Sequence, residues 1–545
     1  MLRARDRQLD IPPRYLAQLP WIGPILGHLS GSGQELYIGG GADPLLGEAL
    51  AAAFVPVVCQ GEHFVRAPSR GWVRPIRGDG SGRFRLRART EWWQAGIDGV
   101  LMILLYDRST GLRELSDPKK RHGDRGFPDT WDGQLQALEA TTSAAGFGEI
   151  EKLPREMHGE IERRIGQLLE QPAKNLELGL IELDTRAVPS EINFAVASCQ
   201  YPAGFLDGDI AERSYRRLRK CVEDPASRPR CLLLLGDQVY IDATAGLFDP
   251  STLSDRYDLP YERLLRMEPL RHVLRRVPAY TMLDDHEIED NWEPGSGSAE
   301  NLAKGRSYYL AYQRLAFPPP TSPAQLWYQF DVDGFPFFMA DTRTEREARA
   351  VGNIGTARIM NDKQLDGLMV WLNAQAGSDV PKFIASPASF LPRHLKATHD
   401  DQRAGSLRSD AWDGYPASFH ALVDHIARKG IRNVVFLSGD EHISFATTAL
   451  IRARDSGNEL ARILSIHSSG LYAPFAFANS TLDNLARREI FPSGDYSCEV
   501  STEFAAPGDG FARLRVWREN GRWAVHCSFD REPPSQSPAK RFDLA

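Results

Sequence analysis

The chain reads CLLLLGDQVY from Cys231 to Tyr240, and this stretch decides the fold class. Five apolar residues closed by Gly236 are typical of a short strand that is buried on both faces of a parallel sheet. Two further apolar runs end in the same manner, as AYTMLDDHE at 279–287 and VVFLSGDEH at 434–442. Because segments with helical spacing alternate with these runs, the sequence predicts an α/β fold.

The segments around these runs carry their own signals. Asn361 and Gln364 resemble a capping box that opens a helix, and Gly430 is suited to end the helix before the last run. The turn ENGR at 519–522 predicts a hairpin within residues 511–529. Further helices are predicted from apolar spacing over Asp209–Val222 and Tyr261–Val277.

Polar side chains follow the predicted strands directly. Asp237, Asp285, Asp440 and His442 all stand at carboxyl ends, where open α/β sheets collect their ligands. Several carboxylates from different strands suit a polynuclear metal site, because each ion needs hard ligands from several directions. Taken singly, each phrase is also typical of a turn, a helix cap or a solvated loop. Their shared position after strands favours a metal-dependent hydrolase.

Five phrases in one order carry a family resemblance. They are ASCQ at 197–200, GDQVYID at 236–242, DDHE continuing to Trp292, DTR at 341–343 and SGDEH at 438–442. Over about residues 190–475 the chain resembles the PhoD-like (alkaline phosphatase D) metallophosphatases, relatives of purple acid phosphatases and other calcineurin-like phosphoesterases. The resemblance implies a calcineurin-like α+β sandwich, with two central sheets flanked by helices.

The resemblance also implies a set of metal ligands. Asp237 matches the carboxylate that bridges two ions, and Asp285 matches a ligand of the second ion. Asp440 and His442 match the final ligand pair, whose carboxylate oxygen favours Ca²⁺, with Mn²⁺ or Mg²⁺ as alternatives. Cys199 and Tyr240 imply Fe³⁺ in the first site, since a thiolate suits iron and a phenol needs a strongly polarising ion. The alternatives are a buried apolar thiol and an ordinary half-buried tyrosine.

Three further residues are candidates at the same edge. His286 directly follows a predicted ligand, so it could bind phosphate and protonate the leaving oxygen. The planar guanidinium of Arg343 fits phosphate oxygens, with a salt bridge to Asp341 as the equal alternative. His467 follows another apolar run, and we expect it to be a core or loop histidine.

Composition sets the remaining expectations. The 545 residues carry a net charge of −7, which gives no electrostatic footprint for nucleic acid. Six cysteines in so long a chain do not indicate a disulfide framework. Residues 1–185 predict a β-rich accessory domain with a charged loop at 116–132, followed by a metallophosphatase domain at 186–530. The last residues, 531–545, predict a loose C-terminal tail.

Two functional classes follow. The first is a phosphatase or phosphodiesterase that hydrolyses phosphate esters with a metal-activated water at a di- or trinuclear site. The second is a non-catalytic metal-binding protein that uses the same fold to bind phospho-ligands. The presence of five residues together favours the enzyme, namely Asp237, Asp285, His286, Asp440 and His442. Neither an apolar leader nor a membrane span is visible, which predicts a cytoplasmic protein.

Overall fold

The computed structural model describes most of the chain, including nearly all of the predicted metallophosphatase domain. The described residues are 15–29, 35–42, 48–68, 71–75, 83–89, 98–106, 148–149, 155–182, 190–203, 208–243, 253–317, 322, 324–398, 406–474, 481–533, 535 and 537–544. The loop predicted at 116–132 lies outside them.

Two sheets form the centre of the fold. One has six strands, of which three neighbours are parallel and the others antiparallel. Its strands lie in the order Ala279–Met282, Cys231–Leu235, Glu191–Ala197, Phe511–Glu519, Arg522–Asp530 and Ala539–Asp543. The run that begins at Cys231 is therefore an interior strand with five buried residues, as its apolar sequence predicts.

The second central sheet has eight strands, four of them parallel neighbours. Their order is Tyr328–Val332, Phe335–Met339, Lys382–Ser386, Val434–Ser438, Glu459–His467, Ser444–Ala453, Tyr496–Ala506 and Arg488–Ser493. The parallel strands are Phe335–Met339 through Glu459–His467, so their carboxyl ends share one edge.

The two central sheets pack face to face. Val196 and Leu233 of the six-stranded sheet lie in one apolar cluster with Phe337 and Val435 of the eight-stranded sheet. Helices cover the outer faces, since the outward residues of both sheets are apolar as well. These helices are Gly208–Ala211, Arg213–Glu223, Leu253–Arg266 and Glu268–Leu274 on one side, and Asp362–Gln375 and Pro416–Lys429 on the other.

Shorter elements complete the described chain. Two of them are the helix Ala299–Tyr312, which follows the loop that carries Asp284 and Asp285, and the helix Leu395–Thr398. The accessory helices are Arg155–Leu169 and Ala173–Leu176, and 3₁₀ turns lie at Glu177–Gly179, Trp412–Gly414 and Leu482–Asn484. Among these described helices, none has the length and apolar character needed to cross a membrane.

The N-terminal part is rich in β-structure, as predicted. A seven-stranded sheet contains Tyr15–Gln18, Asp98–Tyr106, Glu48–Gln60, His63–Arg66, Trp72–Pro75, Gly148–Glu149 and Leu180–Ile181. A three-stranded sheet contains Ile22–Leu29, Glu35–Gly41 and Arg83–Arg89, and Ile22 and Ile25 pack with Leu315 and Ala316 of the core. The predicted α/β sandwich with a β-rich N-terminal region is confirmed.

Three local predictions were wrong. The helix predicted over 209–222 is two helices, which are separated at Glu212. The helix predicted over 261–277 is two helices, because the extended backbone at Met267 separates them. The predicted loose tail contributes a strand, Ala539–Asp543, which pairs with the preceding hairpin. Phe542 is buried between the central sheets, and this apolar contact fixes the segment. By contrast, the side chain of Asn361 caps its helix as predicted, and Gly430 ends its helix with a left-handed backbone.

Candidate metal centre

The carboxyl ends of the parallel strands bring the predicted ligands together. Four of them follow strands of the six-stranded sheet, and two follow Val434–Ser438 of the eight-stranded sheet. Two hydrogen bonds join the sheets beside them, since Ser468 donates to the carbonyl of Val196 and Ser198 donates to that of Ser468. The ligand loops therefore belong to one rigid edge made from both sheets.

The backbone is strained where these side chains arise. Positive φ angles occur at Cys199 (55°), Asp237 (54°), Asp440 (83°) and His442 (50°). A left-handed backbone at a residue other than glycine costs of order 1–3 kcal/mol and persists where a functional site requires it. Four such residues around one point indicate that the loops are shaped to aim their side chains inward.

The first donor group contains sulfur, nitrogen and oxygen. Ligand atoms of Cys199, Asp237 and His442 lie within 4.8 Å of one another. The hydroxyl of Tyr240 lies 3.2 Å from Nε2 of His442, and Sγ of Cys199 lies 3.4 Å from an oxygen of Asp237. Burial, together with the neighbouring acids, raises the pKa of Tyr240 well above its usual value. A phenolate at this position would therefore need a strongly polarising cation beside it.

The second donor group is made only of carboxylates. Asp237, Asp284, Asp285 and Asp440 bring ligand oxygens within 4.8 Å of one another. Burial, followed by repulsion from the neighbouring acids, raises the pKa of Asp237 and of Asp440 well above the usual range. One oxygen of Asp284 is buried without a hydrogen-bond partner among the described residues. Such a cluster fits a hard cation, which would satisfy that oxygen and relieve the repulsion.

The grouping refines the predicted ligand assignment. His442 was paired with Asp440 by sequence, but it joins Cys199 and Tyr240 in the first donor group. Asp440 joins the carboxylates of the second. Asp237 belongs to both groups, as a bridging carboxylate would. Asp284, which the sequence interpretation passed over, is the additional member, and only its place beside Asp285 could have signalled it.

Glu287 holds two ligand loops together. Its buried carboxylate accepts hydrogen bonds from the backbone amides of Asp237 (3.0 Å), Gln238 (2.8 Å) and Asp284 (3.0 Å). A fourth hydrogen bond comes from Gln313, whose side-chain amide donates at 2.8 Å. The carboxylate thus accepts hydrogen bonds from backbone amides in the turns after two adjacent strands. These bonds fix the distance between Asp237 and the Asp284–Asp285 pair.

His286 forms a dyad with Asp242. Its Nδ1 lies 3.0 Å from a carboxylate oxygen of Asp242, and its ring stacks on Tyr240 with centroids 4.0 Å apart. Burial alone would lower the pKa of His286, but Asp285, Asp242 and Asp290 raise it to about 9. The neighbouring acids therefore favour the protonated form of the ring. Its nitrogen also lies within 4.8 Å of ligand atoms of Asp237 and Asp285, close to the second donor group.

The structure gives Arg343 a different role from the predicted phosphate contact. Its guanidinium is fully buried and pairs with Asp284 at 2.6 Å and with Asp410 at 2.6 Å. Asp341 accepts hydrogen bonds from the backbone amides of Arg343 and Thr344, so the alternative salt bridge is wrong as well. Because no part of the guanidinium is exposed, Arg343 positions Asp284 and cannot reach a phosphate.

His467 is a core residue, as expected. It is fully buried, its Nδ1 lies 2.9 Å from the hydroxyl of Ser438, and its ring stacks on Phe445. Burial lowers its pKa to about 3. The residue of that segment nearest the ligands is Ser469, whose hydroxyl donates to Cys199 at 3.0 Å and accepts from the amide of His442 at 3.0 Å.

A cavity of about 770 Å³ borders the metal centre at Tyr240. Its walls are largely apolar and come from the loop around Val239 and from the helix Leu253–Arg266, which contributes Leu259 and Leu264. Three arginines, at positions 256, 263 and 266, also line it. A cavity of this volume can hold a small organic ligand.

A model of the family described as PhoD-like phosphatase matches residues 194–490. This span is more than half of the chain, and it contains both donor groups. The chain belongs to the PhoD-like phosphatase family. The candidate metal centre therefore lies within the region that matches this family. The family resemblance noted in the sequence is confirmed.

Individual relatives agree with this membership. The chain is 27% identical over 184 residues to alkaline phosphatase D of Bacillus subtilis (strain 168), over 30% of this chain and 31% of that relative. The chain thus matches about a third of the length of this curated relative. A solved structure of PhoD superposes with a TM-score of 0.57 at 14% identity, covering 97% of this chain and 92% of the other. This second likeness shows a common PhoD-like fold.

A further solved structure is that of a purple acid phosphatase from yellow lupin (Lupinus luteus) seeds. It matches at 12% identity with a TM-score of 0.46, over 97% of this chain and 74% of the other.

Proposed function

We propose that this PhoD-like protein is a metal-dependent phosphoesterase that hydrolyses phosphate mono- or diesters. The observation that carries the proposal is the pair of donor groups that share Asp237. Cys199, Tyr240 and His442 would hold Fe³⁺ with it, and Asp284, Asp285 and Asp440 would hold Ca²⁺, Mn²⁺ or Mg²⁺. When bound, the ions would polarise the phosphate and supply a water nucleophile at neutral pH.

The dyad of His286 and Asp242 supports the proton-transfer part of the reaction. Asp242 holds Nδ1, which leaves Nε2 as the nitrogen that can face a substrate. Because neighbouring acids raise the pKa of His286, they favour the protonated ring, which could donate its proton to the leaving alcohol oxygen. The same charge attracts phosphate before the reaction.

The test is to measure the metal content of the purified protein together with its activity on phosphate esters. We expect iron, at least one divalent metal, and turnover of some mono- or diesters. The alternative is a phospho-ligand binding module that keeps the fold without catalysis. Stoichiometric metal without hydrolysis of any ester in a broad panel would favour that alternative.

A phenolate on Fe³⁺ gives a visible charge-transfer absorption, so the concentrated protein should be coloured. Tyr240→Phe should remove this band, because it deletes the phenolate while keeping the ring that stacks on His286. The matched control is Tyr201→Phe, since Tyr201 contacts the Tyr240 ring edge-on but donates its hydroxyl to the carbonyl of Ala243. Iron-free protein with full activity would contradict this assignment. Cys199→Ser should weaken iron binding in a parallel test.

The cavity at Tyr240 supports a preference for esters whose alcohol is large and apolar. Tyr240 belongs to both the metal centre and the cavity wall, so a phosphate bound at the metals would have the cavity next to it. Each methylene that leaves water contributes about 0.8 kcal/mol. Within this proposal, affinity should therefore rise with the length of the alkyl group.

Leu259→Glu tests this substrate preference. Leu259 lines the cavity and is 37% exposed, so the substitution should fold normally. We expect KM for octyl phosphate esters to rise about 10-fold, since burying a leucine-sized contact contributes about 1.5–3 kcal/mol. Activity on methyl esters should stay unchanged. Val370→Glu, at a 67% exposed position on the helix Asp362–Gln375, is the control. An equal change for both ester lengths would argue against the cavity as a subsite.

A further inference from the structure

His394 lies buried between two carboxylates beside the metal centre. Its Nδ1 is 3.0 Å from Asp413 and its Nε2 is 2.8 Å from Glu441. All three side chains are buried, and the backbone amide of His394 also donates to Asp413 at 2.6 Å. Two ionised acids on opposite edges of one imidazole hold the ring in a single orientation. The site residues predicted from sequence do not include any of the three.

Glu441 lies between two candidate metal ligands in the sequence. It is the residue between Asp440 and His442, and these two side chains belong to different donor groups. Both of them have left-handed backbone angles, with φ of 83° and 50°. A short loop with two such residues is held by contacts from outside it. The carboxylate of Glu441 provides one of these contacts, through His394.

The partner segment is anchored in the core. Asp413 lies in the 3₁₀ turn Trp412–Gly414, and the indole of Trp412 donates to the hydroxyl of Ser386 at 3.0 Å. Phe390 stacks on Phe436 with ring centroids 3.7 Å apart. Because Phe436 belongs to the strand that leads into the ligand loop, the segment that carries His394 is fixed to the same strand.

We propose that His394 is a positioning residue that sets the spacing of Asp440 and His442 through Glu441. The inference rests on the proposed function only in taking these two residues as metal ligands. Residues that orient a ligand from outside commonly change metal affinity 10- to 100-fold when they are replaced. Loss of the contact between His394 and Glu441 should therefore weaken metal retention, while the rest of the fold is unaffected.

Two substitutions at one position separate positioning from packing. In His394→Asn the amide nitrogen can replace Nδ1 but cannot reach Glu441, whereas in His394→Gln it can replace Nε2. After dialysis of the purified holoprotein against graded EDTA, retained metal is measured by mass spectrometry. We expect His394→Asn to lose half its metal at about 10-fold lower EDTA and His394→Gln to stay within about 3-fold of wild type. Wild-type retention in His394→Asn would overturn the proposal.

A matched histidine gives the control. His272 is equally buried and lies 3.4 Å from Glu177 and 3.3 Å from Glu223, away from both donor groups. His272→Asn should leave EDTA resistance unchanged. Equal loss of metal from both variants would mean that general destabilisation is the cause, and would overturn the proposal.

The variant Glu441→Gln supplies a test that does not depend on the folding of His394 variants. It keeps the side-chain volume but removes the charge that His394 contacts, and we expect about 10-fold lower EDTA resistance. Combined with His394→Asn, it should cause no further loss, because both changes break one contact. Additive losses, or wild-type retention in Glu441→Gln, would overturn the proposal. Metal retention is read without turnover, so an inactive wild type would refute the proposed function alone.

Discussion

Asp237→Ala should abolish both metal binding and turnover. The carboxylate of Asp237 belongs to both donor groups, and one substitution therefore removes a ligand from each ion. Each ion has only a few protein ligands, so the loss of one should leave little affinity for metal at micromolar concentrations. The reaction also needs both ions together. Metal analysis of the purified variant and an assay on aryl phosphates would measure the two losses in one preparation.

A partly buried acid on the C-terminal hairpin serves as the control for this variant. Asp530 is paired with Arg217 at 2.6 Å and is 15% exposed, but it lies on the C-terminal hairpin outside both donor groups. Asp530→Ala should keep its metal content and its turnover. Near-normal metal stoichiometry with retained activity in Asp237→Ala would refute the bridging assignment.

His286→Ala should lower kcat by about 10²–10⁴-fold for alkyl esters while metal content stays nearly intact. The physical reason is that a poor leaving group needs a proton, which the protonated form of His286 can supply. The phenolate of an aryl phosphate leaves readily without protonation, so the decrease in kcat should be much smaller for aryl phosphates. The comparison of the two ester classes by steady-state kinetics measures the acid role directly.

Two further variants and two alternative outcomes distinguish the roles of this histidine. Asp242→Asn should reproduce part of the loss, because it removes the charge that holds Nδ1 of His286. His420→Ala, which removes a half-buried histidine bonded to Ser493, should have no effect on kcat. A His286→Ala variant that loses one metal would instead make His286 a ligand, and equal losses for both ester classes would leave only phosphate binding.

Much of the fold could be predicted from local sequence. The runs before Gly236 and Gly439 were predicted as buried strands because a short, uninterrupted apolar segment closed by a glycine is typical of a strand that is buried on both faces of a sheet. The helix that begins after Asn361 and the hairpin around residues 519–522 were predicted from capping and turn residues. Predictions failed where a distant contact decided the outcome, as for Phe542, whose burial between the sheets turns an expected tail into a strand.

The candidate site divides in the same way. The sequence alone determined which residues stand at strand ends, and parallel strands must bring those ends to one edge. Tertiary structure alone decided the partners there. It placed the ring of His442 next to the hydroxyl of Tyr240, which is 202 positions away in the sequence. It also paired the guanidinium of Arg343 with Asp284 and Asp410. The tertiary structure also placed the carboxylate of Glu441 within hydrogen-bonding distance of His394. Local propensity places a side chain at the end of its own strand, but the packing of two sheets and their loops selects the atoms that it meets.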